Sequence, residues 1–294
     1  MVQGEHPSIP AQADKARRAH RVRYIFPFMD LGLSGKTALV TASYRGTGRG
    51  IARVMAAEGA SVLVHGFDPD PAEAVAAELR AAGGDARAVA GDLLSDAGVA
   101  ALMAQCGPVD ILVANYGTAE GGSWFGESTD EAAWYDSYNK NVLSAVRVVR
   151  AAAGPMKAAG WGRIILIGTV GSVRPGTRQP QYYVAKGALP AMTTSLAKEL
   201  GGTGITVNLV SPGIIGTDEV RERFTERAAR LGRPTDWPSV QQLIFEQFMD
   251  LPTKRVPDPE DVGRVVAFLA GETGACITGA NYHVDGGAAD AVTP

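Results

Sequence analysis

The chain has 294 residues, 46% of them hydrophobic, and a formal net charge of −3. That is enough apolar material for one large core, and without an overall basic field nucleic acid is not an expected partner. No uninterrupted apolar run reaches the roughly 18–20 residues needed to cross a bilayer, and Cys106 and Cys276 follow no zinc-ligand spacing, so neither a membrane span nor a metal is expected.

Residues 1–30 stand apart from the rest. Lys15, Arg17, Arg18, Arg21 and Arg23 make the segment basic, and Tyr24 to Met29 make its end apolar. It reads as an extension that packs on its own domain or on a partner subunit. It lacks the apolar stretch and small-residue cleavage site of a secretory signal, so the cytoplasm is the expected location.

From residue 31 to 294 a single domain is expected. Short apolar strands at 38–40, 61–64, 86–89, 110–113, 163–167, 205–210 and 282–284 alternate with helical stretches. In the first of these helices Ile51, Val54 and Met55 share a face. In the second, Asp70 is the expected cap and Pro71 the first helical residue. Further helices are expected over 130–159, broken near Gly154–Pro155, then over 184–200 and from about 258 to 269. The pattern predicts an α/β fold: a Rossmann-like, doubly wound, mostly parallel seven-stranded sheet with helices on both faces. Residues 217–257, with Phe224, Trp237, Phe245, Phe248 and Met249, are expected to form helices outside the sheet that cover a substrate cleft.

The turn after the first strand reads TASYRGTG, from Thr41 to Gly48. Glycines between a strand and a helix let backbone N–H groups and the helix dipole meet a phosphate, the roles that Gly46 and Gly48 fit. The GK[ST] ending of a Walker loop is absent. Asp68, near the tip of the second strand, suits an adenosine ribose or simply the start of the next turn. Arg45 suits a 2′-phosphate or the solvent. Asp92, after the third strand, suits adenine or a helix start. Asn115 and Gly117, after the fourth, suit a close approach to a dinucleotide or a plain turn.

Tyr182 and Lys186 stand four residues apart on one helical face, after the fifth strand. An ammonium beside a phenol favours the phenolate and so helps proton exchange near neutral pH. With these residues in place, the stretch 32–288 resembles the short-chain dehydrogenase/reductase family in its ordinary single-domain form. The family's TGxxxGxG is similar to TASYRGTGRG, its NNAG to Ala114–Gly117, and its catalytic asparagine and serine positions to Asn141 and Thr169. Its later PG motif is similar to NLVSPGIIGT, and its VDGG to Val284–Gly287.

The resemblance implies that Tyr182 is the general acid or base and that Lys186 lowers its pKa and holds the nicotinamide ribose. It also implies that Thr169 binds the substrate oxygen and Asn141 supports a proton-relaying water. It implies cofactor contacts at Thr41, Ser43, Arg45, Gly46, Thr47, Gly48, Phe67, Asp92, Leu93, Asn115, Gly117, Tyr182, Lys186, Pro212, Gly213, Ile215 and Thr217. Departures stand at Ala42, Ala114, Tyr116 and Thr169. Arg45, together with Gly66 where NAD-preferring relatives carry aspartate, favours NADP(H), with NAD(H) as the other choice. The implied partners are a small carbonyl or alcohol substrate and further copies of the chain, as a homotetramer. A dehydratase, an epimerase or a noncatalytic dinucleotide sensor on the same scaffold are the alternatives. Trp124, Phe125, Trp237, Phe245 and Phe248 are candidates for an apolar pocket or for local cores, and Arg178 for a substrate anion or plain surface.

Overall fold

Runs of aliphatic residues build the centre of a computed structural model that describes residues 30–289. The basic and apolar extension expected over 1–30 lies outside the described residues, apart from Asp30. Seven strands form one sheet: β1 (Thr37–Val40), β2 (Ser61–Gly66), β3 (Asp85–Ala90), β4 (Ile111–Ala114), β5 (Gly162–Ile167), β6 (Ile205–Pro212) and β7 (Asn281–Val284). Their spatial order is β3-β2-β1-β4-β5-β6-β7, and every pairing is parallel, not merely most of them.

Side-chain alternation along the strands splits the interior into two layers. Ala38, Val40, Val62, Val64, Ile111 and Val113 point to one face, where they meet α1 (Gly46–Ala57), α2 (Pro69–Ala81) and α9 (Pro259–Ala270). Leu39, Leu63, Leu112, Ile164 and Leu166 point to the other, where they meet α3 (Asp96–Cys106), α5 (Ser144–Ala159) and α6 (Pro180–Glu199). Strands covered on both faces are mostly apolar, and β4 to β6 are buried at every position. The order reverses between β1 and β4, so a crevice opens at the carboxyl ends of these strands.

Three local expectations are corrected. α2 starts at Pro69, with Asp68 and not Asp70 at its N-cap, because Pro69 supplies the fixed φ of a first helical residue. The helix over 130–159 is not broken at Gly154–Pro155. Its irregularity lies at Asn139–Leu143, a π-helical turn joining α4 (Glu131–Tyr138) to α5. Pro155 is exposed and near the helix end, where the carbonyl it leaves free meets water. α6 begins at Pro180, which places Tyr182 in its first turn.

Residues 217–257 do form helices outside the sheet, α7 (Asp218–Arg230) and α8 (Trp237–Gln247). They have a small core of their own, built on Phe224, Val240, Leu243, Ile244 and Leu251. Among the described residues no helix is long and apolar enough to cross a membrane.

Candidate active site

A cleft of about 600 Å³ lies at the carboxyl ends of the central strands. The turn from Tyr44 to Gly48 forms one wall, and the segment from Pro212 to Thr217 with the start of α7 forms another. Thr169, Tyr182 and Lys186 also border it.

The nucleotide turn is shaped from behind by buried polar groups. Ser43 Oγ donates to Val40 O at 2.7 Å and accepts the His65 N–H at 3.0 Å. His65 is fully buried. Its Nδ1 accepts the Ala42 N–H at 2.9 Å, and its Nε2 lies 3.1 Å from Gly91 O. This leaves the ring neutral with its proton on Nε2, and burial lowers its pKa to about 4. On the opposite side Thr41 Oγ1 accepts the N–H groups of Asn115 and Tyr116 at 2.9 and 3.1 Å, and Asn115 Nδ2 donates to Thr41 O at 2.9 Å. Thr41 and Ser43 therefore fasten the turn to its neighbours and do not border the cleft.

Three glycines that border the cleft are required by close packing of the protein around it. A Cβ on Gly48 would fall 2.5 Å from Ala42 O. One on Gly117 would fall 2.5 Å from Asn141 Oδ1, and one on Gly213 2.9 Å from the Asp285 Cβ. Gly46 adopts a left-handed φ of 54° at the mouth of α1. Bare backbone, a helix N-terminus and a cleft of this volume together fit a nicotinamide dinucleotide.

Of the adenosine-side candidates, Arg45 alone borders the cleft. Asp92 spends its carboxylate on the Leu94 N–H and the Ser95 hydroxyl, at 2.8 and 2.7 Å. Leu93 is buried in the core. Phe67 packs edge-on between His65 and Tyr116, with ring centroids 5.6 and 4.8 Å away. The two unusual residues Phe67 and Tyr116 thus form a matched aromatic pair. Asp68 is exposed. Arg45 borders the cleft, 3.7 Å from Glu219.

Tyr182, in the first turn of α6, borders the cleft together with Thr169. Burial pushes the phenol up to about 12, against the favourable influence of the Thr169 side chain. Lys186 is buried and donates from Nζ to Ile167 O at 2.9 Å. Burial lowers its ammonium to about 8. The resemblance implies that the lysine lowers the phenol's pKa; desolvation by burial instead sets it above the ordinary tyrosine value. Asn141, within the π-helical turn, accepts the Thr118 N–H at 3.1 Å and donates to Thr118 O and Ser137 O, both at 3.0 Å. A Cβ on Gly117 would fall within 2.8 Å of both Asn141 Oδ1 and Lys186 Nζ, so these two groups flank one point.

Gln179, Thr118 and Arg223 also border the cleft and belong to no motif read from the sequence. The left-handed backbone of Gln179, φ 64°, leaves no mark on a sequence. None of the five aromatics suggested for an apolar pocket borders the cleft. Trp124 packs on Trp134 at 5.3 Å and Phe125 points into solvent. Trp237 and Phe245 pack on the core of α7 and α8, and Phe248 borders a separate hollow.

Residues 41–289 match the family model described as enoyl-(acyl carrier protein) reductase. The 3-oxoacyl-[acyl-carrier-protein] reductase FabG of Pseudomonas aeruginosa is 35% identical over 262 residues, covering 87% of this chain and 98% of that one. The chain belongs to the short-chain dehydrogenase/reductase family. L-sorbose reductase from Gluconobacter frateurii, solved with NADPH and L-sorbose, superposes with a TM-score of 0.82 at 31% identity over 90% of this chain and all of that one. An oxidoreductase of the same family from Burkholderia thailandensis superposes with a TM-score of 0.72 at 30% identity, covering 86% and 92% of the two chains. The protein is accordingly an oxidoreductase that uses NAD(P)(H) on small carbonyl or alcohol substrates.

Proposed function

We propose that residues 31–294 form one catalytic domain that interconverts a ketone and a secondary alcohol, with NADP(H) preferred. The reading rests on one juxtaposition: Thr169, Tyr182 and the buried Lys186 border the same glycine-lined cleft. The bound nicotinamide supplies or accepts the hydride. Thr169 orients the substrate oxygen, and Tyr182 gives it a proton in reduction or takes one in oxidation. Lys186 holds the ribose hydroxyls and, once the cleft is filled, stabilises the phenolate. Asn141 keeps Gly117 and Thr118 in place and supports a water beside Lys186. Gly46, Thr47, Gly48, Asn115, Gly117, Pro212, Gly213, Ile215 and Thr217 would hold the cofactor, and α7 with α8 would cover the substrate.

Replacing Tyr182 by Phe should lower kcat/KM by roughly 10²–10⁴-fold, followed by nicotinamide absorbance across a panel of ketones and secondary alcohols. NADPH affinity should stay unchanged. Turnover that survives in Tyr182→Phe would overturn the assignment.

Preference for NADP(H) is carried by Arg45, the exposed guanidinium beside the phosphate turn, where a 2′-phosphate would displace its loose pairing with Glu219. Arg45→Ala should weaken NADPH about tenfold and leave NADH unchanged; equal effects on both would refute the preference. The same reading takes the enzyme as a cytoplasmic homotetramer. Two free thiols, one of them exposed at Cys276, suit a reducing compartment. A monomer in light scattering at micromolar concentration would exclude the assembly.

A further inference from the structure

Beside the cleft lies a second hollow of about 370 Å³, between the loop that leads into α6 and the α7–α8 pair. Arg178, Tyr183, Arg227, Gln247 and Phe248 border it, and no carboxylate does. Its two guanidiniums form no ion pair among the described residues, whereas two others nearby do. Arg221, also on α7, is paired with Asp258 at 2.8 Å, and Arg233 with Glu246 at 2.6 Å. Arg227 instead donates from Nε and Nη2 to the neutral Gln247 Oε1, at 3.1 and 2.8 Å. Its guanidinium also lies 4.9 Å from the centre of the Phe248 ring. These contacts hold the group in place without cancelling its charge. Arg178 has no ion pair among the described residues and is tied in only through its backbone bridge to Ser123.

The hollow lies next to the reacting residues. The Tyr183 ring that borders it packs against Gly171, two residues after Thr169, so tightly that a Cβ there would sit inside the ring edge. The Tyr183 and Tyr182 ring centroids are 5.5 Å apart. Tyr183, which borders this hollow, follows Tyr182 in the chain. Phe248, half exposed, gives the hollow an apolar wall.

We propose that this hollow binds an oxyanionic group of the substrate, a carboxylate or a phosphate, between Arg178 and Arg227. The substrate is thereby a ketone or alcohol on an apolar carbon body that ends in an anion. The assignment rests on the cleft being the reaction site. Planar guanidiniums held by neutral partners suit the charge-assisted pairing that both oxyanions accept.

Calorimetry on the full chain tests it with hexanoate, hexyl phosphate and hexanamide, and NADPH binding is measured separately. We expect at least one of the anions to bind and the amide not to, and the stronger anion identifies the group. Arg178→Gln with Arg227→Gln should weaken that anion by at least tenfold, at an unchanged melting temperature and NADPH affinity. Arg227→Lys, which keeps the charge, should recover part of the loss. A wild-type chain that binds NADPH but neither anion overturns the site, as does a double variant that binds the anion as well as wild type. A chain that binds no NADPH overturns the reductase reading and this assignment with it.

Discussion

The nucleotide turn and the start of α7 border one cleft, yet the turn and the α7–α8 pair are built in opposite ways. The turn owes its shape to buried hydrogen bonds that reach three neighbouring strands through Thr41, Ser43, His65 and Asn115. The helical pair is held by a small apolar core of its own, with charged surfaces facing outward. A surface cross-braced by hydrogen bonds to the central sheet opens only when the sheet does. A satellite held by its own packing can open locally at lower cost. Cofactor binding should therefore track global stability, and substrate binding the stability of the pair.

The largest effect expected from this contrast is at Phe224, which is 3% exposed in the satellite core. Phe224→Ala should cost about 3–5 kcal/mol of packing within the pair. Hydrogen exchange over 218–247 should speed up and the substrate KM should rise, while NADPH affinity holds. A parallel loss of NADPH binding would mean that the two regions are one cooperative unit, and the comparison would fail.

The next effect belongs to the turn. His65 contributes stability only while neutral, because a proton on Nδ1 would meet the Ala42 N–H head-on. Its pKa is about 4 in the fold and about 6.5 in the unfolded chain. The contribution is complete above pH 6.5 and is lost as pH falls from there to about 4, amounting to about 3 kcal/mol. Denaturant melts across this window should show wild type losing stability faster than His65→Gln, which does not titrate. NADPH affinity should fall along with it. Identical slopes for the two proteins would show that His65 does not brace the turn.

This contrast also explains what could be read in advance. The sheet was legible because strands buried on both faces are mostly apolar, as Ile164 to Ile167 are. Tyr182 and Lys186 were legible because their spacing and their place after β5 belong to a pattern. Thr41, Ser43 and Asn115 drew attention at the right turn, but a motif does not say whether a side chain faces the ligand or braces the backbone behind it. Gln179, Arg223 and the π-helical turn at Asn139–Leu143 went unread. Their positions depend on backbone conformations and on a helical pair whose amphipathic pattern fixes a core but not an orientation over the cleft. For the five aromatics the choice between pocket and local core stayed open for the same reason: apolar character predicts contact without naming the partner, and Trp237 and Phe245 serve a local core.

The smallest effect tests the turn most directly. Ala42 stands where the family pattern has glycine, and it keeps a left-handed φ of 52°. An alanine in that region costs roughly 1–2 kcal/mol, and three contacts hold it there: its N–H on His65, its carbonyl against Gly48, and Asn115 reaching the same carbonyl at 3.4 Å. Ala42→Gly removes the strain but frees the unfolded chain, which returns part of the gain. The net expectation is a stabilisation of about 0.5–1 kcal/mol in denaturant unfolding, with NADPH affinity unchanged. Stabilisation with weaker NADPH binding would mean that the strain itself presets the turn for the phosphates. A destabilised protein would mean that the Ala42 methyl packs well enough to offset its own backbone, and the glycine of the family pattern would then be replaceable wherever a histidine braces the turn from behind.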